Sequence, residues 1–290
     1  DPHLAVIKDD EDHAMQDWEH HNGFARRYIK RITSKTNLEE SNAYFAYLVK
    51  KLHEKGIKVI IDGVFNHCGS FNKWMDREGV YLNKKGYEKK GAYQSKKSPY
   101  RKYFAFKGNQ TQGEYEGWWN YITLPKLNYE KSEKLKEEVI AIGEKWVSAP
   151  FDVDGWRLDV ADELPDKFLD ALRNAVKAEK SDAYILGEVW EDASNKIAYN
   201  TRKSYFNGKE LDSVMNYPLK DAIIDYIVNG NSSTFVNVCT ELYSHYTKDA
   251  TNLLMNVLGT HDTERILTVL AGEKSSSYTN KELSTRKLCD

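Results

Sequence analysis

From residue 38 onward, apolar runs rich in β-branched residues alternate with stretches whose apolar positions recur at helical spacing. That alternation predicts an α/β architecture with parallel strands. Leu38 to Lys55 reads as an amphipathic helix ended by Gly56, and Lys58 to Val64 follows as a buried strand. A helical pattern returns over Lys131 to Val147, then a strand from Phe151 to Asp159, a helix from Pro165 to Lys177 and a strand from Ala183 to Val189. A shorter strand is expected at Ser213 to Tyr217, helices at Leu219 to Val228 and Ser233 to Tyr246, and a fifth strand at Leu253 to Leu258.

Between the first strand and the helix at Lys131, residues 68–128 are rich in Gly, Lys, Ser and aromatics and too long for an ordinary connection. They are expected to form a small inserted domain, dividing the chain into 1–67, 68–128 and 129–290. Residues 1 to about 36, polar and poorly periodic, read as a long loop. The chain shows no internal repeat, no low-complexity segment and no apolar run of transmembrane length. A net charge of −2 over 290 residues gives no electrostatic reason to expect nucleic acid or an anionic membrane as partner. The lysine-rich stretch from Lys84 to Lys107 is therefore taken as a solvated face. Three scattered cysteines, Cys68, Cys239 and Cys289, imply no disulfide framework and favour a reducing compartment. A cytoplasmic location is expected, with secretion as the alternative.

Four of the strands end in acids, histidines or both: "DGVFNH" (Asp62 to His67), "GWRLDVADE" (Gly155 to Glu163), "LGEVW" (Leu186 to Trp190) and "GTHDTER" (Gly259 to Arg265). Alternate side chains of a strand share a face, so Arg157 and Asp159 point one way while Trp156 and Leu158 point the other. Taken alone, such a pair is most often a structural ion pair. The carboxyl ends of parallel strands, however, are where (β/α)₈ barrels build their active sites. Asp159, Glu188 and Asp262 are expected to converge there, with Arg157, His67 and His261 beside them. Two carboxyl groups flanking a scissile bond are what glycoside hydrolysis needs, one ionised and one protonated. Arg157 is expected to favour the charged form of Asp159, and the hydrophobic body of Trp190 to help Glu188 keep its proton.

These four strand ends, in this order, resemble the signature regions of the α-amylase superfamily of retaining glycoside hydrolases. "LPKLN" (Leu124 to Asn128) and "GWRLDVADE" are similar to the neopullulanase, cyclomaltodextrinase and maltogenic amylase branch. The resemblance implies a (β/α)₈ TIM barrel, incomplete here and corresponding to about strands three to seven, with the small domain inserted after the third. It implies either a fragment of a longer protein or a partner that supplies the rest. It further implies Asp159 as nucleophile, Glu188 as general acid/base and Asp262 as the residue that grips the distorted sugar. Arg157, His67 and His261 would bind the nucleophile or the sugar, with Asp62 bracing the site. Carboxyls about 5 Å apart would give retention.

Many α-amylases carry Lys-His where this chain has Asp162-Glu163, and there the histidine backbone and the asparagine matching Asn66 help hold calcium. The replacement argues for no essential metal or other cofactor, although Asn66 and nearby acids leave calcium open. Glu163 lies where the family contacts the leaving-group side of the cleft and is a candidate for shaping acceptor choice; its alternative is a surface acid before Pro165. Among the aromatics Tyr115, Trp118, Trp119 and Tyr121, exposed rings would stack on a glucan and buried ones would serve a core. Trp118 and Trp119 are the candidates for substrate. The expected activity is cleavage of α-1,4 glucosidic links, with α-1,6 links as a further candidate, in pullulan, cyclodextrins or maltooligosaccharides. The alternatives are transglycosylation and a catalytically silent amylase-like scaffold. The expected partner is an α-glucan oligosaccharide or polysaccharide, without nucleic acid or membrane, and a homodimer is admitted for the full-length protein.

Overall fold

The computed structural model describes residues 33–272. Most of the loop expected before residue 36, and Cys289, lie outside the described residues. The chain divides into two compact units, one running through Asp159 and resuming over Lys167–Tyr184, the other comprising Val160–Asp166 and the chain from Ile185 onward.

In the first unit, helix α1 (Lys35–His53) begins where the Ser34 side chain accepts the Asn37 N–H at 3.3 Å. This cap starts the helix three residues ahead of the first apolar position of its pattern. Strand β1 (Ile60–Gly63) pairs in parallel with β2 (Gly155–Leu158), in the register Ile60↔Gly155 through Gly63↔Leu158. The first strand is shorter than expected and not buried throughout: Ile60 and Val64 remain exposed. Its only strand partner among the described residues is β2.

Helix α2 (Glu133–Val147), capped by Ser132, leads into β2, and α3 (Asp166–Glu179) follows it. All of α3 except its first residue belongs to this unit. The core is the set of apolar side chains that the helical and strand periods place inward: Leu135, Val139 and Val147 of α2, Trp156 and Leu158 of β2, and Phe168, Leu172 and Val176 of α3. The Trp156 indole also donates to Gly143 O at 3.1 Å, which satisfies its one polar atom within that core.

Residues 68–128 lie in the first unit and form turns, two 3₁₀ turns (Arg101–Tyr103 and Trp118–Asn120) and isolated bridges at His67↔Lys126, Phe106↔Tyr115 and Gly117↔Pro125. The Arg101 guanidinium replaces a sheet as their organiser, donating to the carbonyls of Ala92, Gln110 and Thr111 at 2.7 Å each and lying over the Phe106 ring. The lysines at 84, 85, 89, 90, 96, 97, 102 and 107 are all exposed.

In the second unit, β3 (Tyr184–Gly187, from Ile185 on) pairs in parallel with the short β6 (Ser213–Val214), with Leu186↔Ser213 and Gly187↔Val214 in register. Between them is a hairpin absent from the sequence expectation, β4 (Ile197–Ala198) and β5 (Thr201–Arg202), joined through Tyr199 and Asn200 at φ 53° and 61°. Positive φ at both turn residues is the geometry of a two-residue hairpin. Helices α4 (Tyr217–Asn229), α5 (Ser232–His245), α6 (Lys248–Leu253) and α7 (Ile266–Leu270) follow. The strand expected at Leu253 to Leu258 does not form. The Thr247 side chain caps α6, which takes up Leu253, and only Met255 makes a single parallel bridge to Met215. No helix among the described residues is long and apolar enough to cross a membrane.

Candidate active site

The expected site residues stand in four groups, two in each unit. In the first, the parallel register sets Asp62 beside Arg157. One guanidinium nitrogen, Nη1 of Arg157, lies 2.8 Å from Asp62 Oδ1 and 2.9 Å from Asp159 Oδ1. The Asp159 N–H donates to Gly63 O at 3.2 Å, extending the ladder by one residue to the point where the acid leaves the strand. The face assignment made from the two-residue period therefore holds: Arg157 and Asp159 meet, while Trp156 and Leu158 are buried on the opposite side.

Just beyond β1, Asn66 and His67 are buried. The Asn66 amide nitrogen lies 3.3 Å from His67 Nδ1, and the imidazole stacks on the Trp118 ring at 4.8 Å and 7°. The "LPKLN" segment is what pins this turn. Leu127 N–H donates to Asn66 O at 2.9 Å, and Cys68 N–H donates to Pro125 O at 3.1 Å. Of the four candidate aromatics, Tyr115 packs inward against Phe106 and Tyr93 and hydrogen-bonds Ile122 O. Trp118 is half-buried, whereas Trp119 is 72% exposed and Tyr121 is also exposed. Trp119 and Asn120 occupy left-handed backbone, at φ 49° and 63°. That turn carries the Trp119 ring outward, tilted 30° against Trp118.

In the second unit, Glu188 follows β3 and is only 4% exposed. Its Oε2 accepts the Val160 N–H at 2.8 Å and its Oε1 the Trp190 Nε1–H at 3.1 Å, while its carbonyl accepts the Ala161 N–H at 3.1 Å. Trp190 thus meets the acid through its polar edge, not through the hydrophobic body that the sequence suggested. Its ring lies parallel to Tyr217 at 4.0 Å and 6°. Glu163 is half-buried in the 3₁₀ turn Ala161–Glu163.

Asp162, in the same turn, is paired with Lys196 at 2.9 Å. Its negative charge is thereby matched by an ammonium. His261 and Asp262 stand in an exposed turn after α6, 3.2 Å from each other. The Thr260 and Thr263 side chains shape that turn.

The structure therefore joins Asp62, Arg157 and Asp159 in one cluster, His67 and Trp118 in another, Glu188 with Val160 and Trp190 in a third, and His261 with Asp262. Sequence reasoning missed Trp190 as a donor and missed Tyr217 and Lys196 altogether. Trp190 was within reach, since it ends the "LGEVW" motif, but nothing in the sequence links Tyr217 or Lys196 to the acids they support.

The family profile described as "Alpha amylase, catalytic domain" matches residues 37–288. The chain is 37% identical over 229 residues to a cyclomaltodextrinase of Geobacillus thermopakistaniensis, covering 78% of this chain and 35% of that protein. It is 34% identical over 279 residues to an amylopullulanase of Thermoanaerobacter thermohydrosulfuricus, covering 84% of this chain and 18% of that one. Among solved structures, the type III pullulan hydrolase from Thermococcus kodakarensis superposes with a TM-score of 0.64 at 30% identity, over 83% of this chain and 39% of that chain. The chain spans about a third of the length of the cyclomaltodextrinase it matches. The parallel strands and their helices are part of a (β/α)₈ barrel.

Proposed function

Because the chain belongs to the alpha-amylase catalytic-domain family, we propose that it carries the catalytic core of a retaining α-glucan hydrolase. Its substrates would be pullulan, cyclodextrins or maltooligosaccharides. Asp159 acts as nucleophile and Glu188 as general acid/base. In the first step Asp159 attacks the anomeric carbon and forms a glycosyl ester as the glycosidic C–O bond breaks, and Glu188 gives its proton to the departing oxygen. In the second, Glu188 takes a proton from water, the water oxygen attacks the same carbon, and Asp159 is released.

The observation that carries this reading is the contrast between the two carboxylates. Asp159 is held by a guanidinium, and Glu188 is buried with neutral N–H donors on its two oxygens. Such contrast is how two chemically similar acids take different roles. We assign Asp262 to gripping the sugar, His67 and His261 to binding the nucleophile or the sugar, Asp62 to bracing Arg157, and Glu163 to acceptor choice. The exposed Trp119 ring, backed by Trp118, offers a stacking surface to a glucan. We assign residues 68–128 to the inserted domain of this family, 1–67 and 129–290 to the barrel, and the protein to the cytoplasm. The matched ion pair at Asp162 supports hydrolysis without a resident metal.

The test is turnover of maltotriose, pullulan and cyclomaltodextrin by Asp159→Asn and Glu188→Gln. Each variant should lose about 1,000-fold or more, since a neutral amide can replace neither a nucleophile nor an acid. The first product detected by NMR should be the α-anomer. Turnover that survives both substitutions, or a β-anomeric product, ends this reading.

A further inference from the structure

A carboxylate that must deliver a proton along one lone-pair direction has to be held in plane, yet the terminal torsion of a glutamate is intrinsically broad. Around Glu188 two donors oppose that freedom, one on each oxygen, and each has its own support.

The Val160 N–H reaches Oε2 from a left-handed backbone at φ 39° and ψ 55°. A β-branched residue does not adopt this conformation without strain, and it persists only where the surroundings over-determine it. Here they do. The next N–H, of Ala161, donates to the Glu188 carbonyl, Ala161 itself is buried, and the Glu163 N–H closes the turn onto Val160 O at 2.9 Å.

The second donor, the Trp190 indole, is half-exposed and would be free to swing were it not stacked on Tyr217. Tyr217 is fully buried and opens α4, whose first turn is fixed by Asn216 accepting the Leu219 N–H at 3.2 Å. Asn216 is in turn tied to Asn256 at 2.9 Å. Support thus runs from the start of α4 through two parallel rings to one oxygen of the acid.

We propose that Trp190, locked by Tyr217, is a positioning residue which, together with the Val160 amide, fixes the plane of the Glu188 carboxylate for proton delivery. This rests on the reading of Glu188 as acid/base. Trp190→Phe keeps a ring over Tyr217 and deletes the indole N–H. In the full chain it should lower kcat on maltotriose about tenfold while KM stays within about twofold, the pattern of a lost transition-state interaction. On α-maltosyl fluoride, whose leaving group needs little protonation, the deficit should shrink to about twofold.

A wild-type kcat in Trp190→Phe overturns the proposal. So does a rise in KM alone, which would make the ring a sugar contact, or an equal deficit on both substrates, which would make it a scaffold only. The two readings fail separately. An active Glu188→Gln removes the acid/base assignment, whereas an inactive Glu188→Gln beside a wild-type Trp190→Phe removes only the positioning role.

Discussion

Arg157 Nη1 lies between two carboxylates, so a change at this one residue touches both. A lysine at this position would carry the charge but not the planar fork that fixes its direction. With Asp159 as nucleophile, Arg157→Lys should lower kcat/KM about 100-fold, roughly 2.7 kcal/mol of transition-state stabilisation. Asp62→Asn should cost about tenfold, since Arg157 keeps its bond to Asp159. Steady-state kinetics on maltotriose check both, and a larger loss in Asp62→Asn than in Arg157→Lys would contradict this order of importance. The partnership of Arg157 with Asp159 was legible in the sequence, because residues two apart in a strand share a face. That with Asp62 was not, because it depends on a strand register linking residues 95 apart. The same limit hid Tyr217 behind Trp190: a stacking partner carries no pattern of its own.

At the scale of elements, helices α1 to α5 were legible from apolar spacing, and a capping side chain marks the start at Ser34, Ser132 and Asn216, whereas the short α6 and α7 were not expected. The hairpin at 197–202 was not, because its strands are two residues each and its turn is Tyr-Asn, without the glycine that usually announces positive φ. The apolar run from Leu253 to Leu258 misled because an apolar run has no period to separate a helix end from a strand. The pairing of strands also makes one glycine obligatory. A Cβ on Gly155 would stand 2.0 Å from Tyr184 O, a backbone atom that cannot step aside without breaking its strand. Gly155→Ala should therefore destabilise the fold by about 3 kcal/mol, the upper end for overpacking. A lowered urea midpoint would show it, and an unchanged midpoint would mean that the strands part without cost.

For the whole molecule, stability against pH is a sum in which two buried aspartates of the first unit pull in opposite directions. Burial pushes the Asp76 carboxyl up to about 6, only partly offset by the Tyr81 and Val80 N–H groups, and nearby Glu78 adds to the rise. An acid whose folded value lies above its unfolded value of about 3.9 contributes stability at low pH that is lost as the pH climbs through the folded value. Asp154 is the reverse case. Burial alone would raise it, but the Val59 N–H, His53 and Lys58, with Lys180 close by, hold it well below the usual carboxylate range. Its contribution is complete above about pH 4 and is lost as the pH falls toward the depressed folded value. Asp76→Asn keeps an oxygen for the Tyr81 N–H, so it should fold and should flatten the decline in Tm between about pH 4 and 7. Asp154→Asn should lower Tm at neutral pH and flatten the acid limb instead, because it removes the charge that His53, Lys58, Lys180 and the Val59 N–H are arranged to receive. Thermal melts of the two variants across pH 3 to 8 separate these contributions. A wild-type slope in Asp76→Asn would mean that its carboxylate finds, on ionising, a donor that the burial argument leaves out.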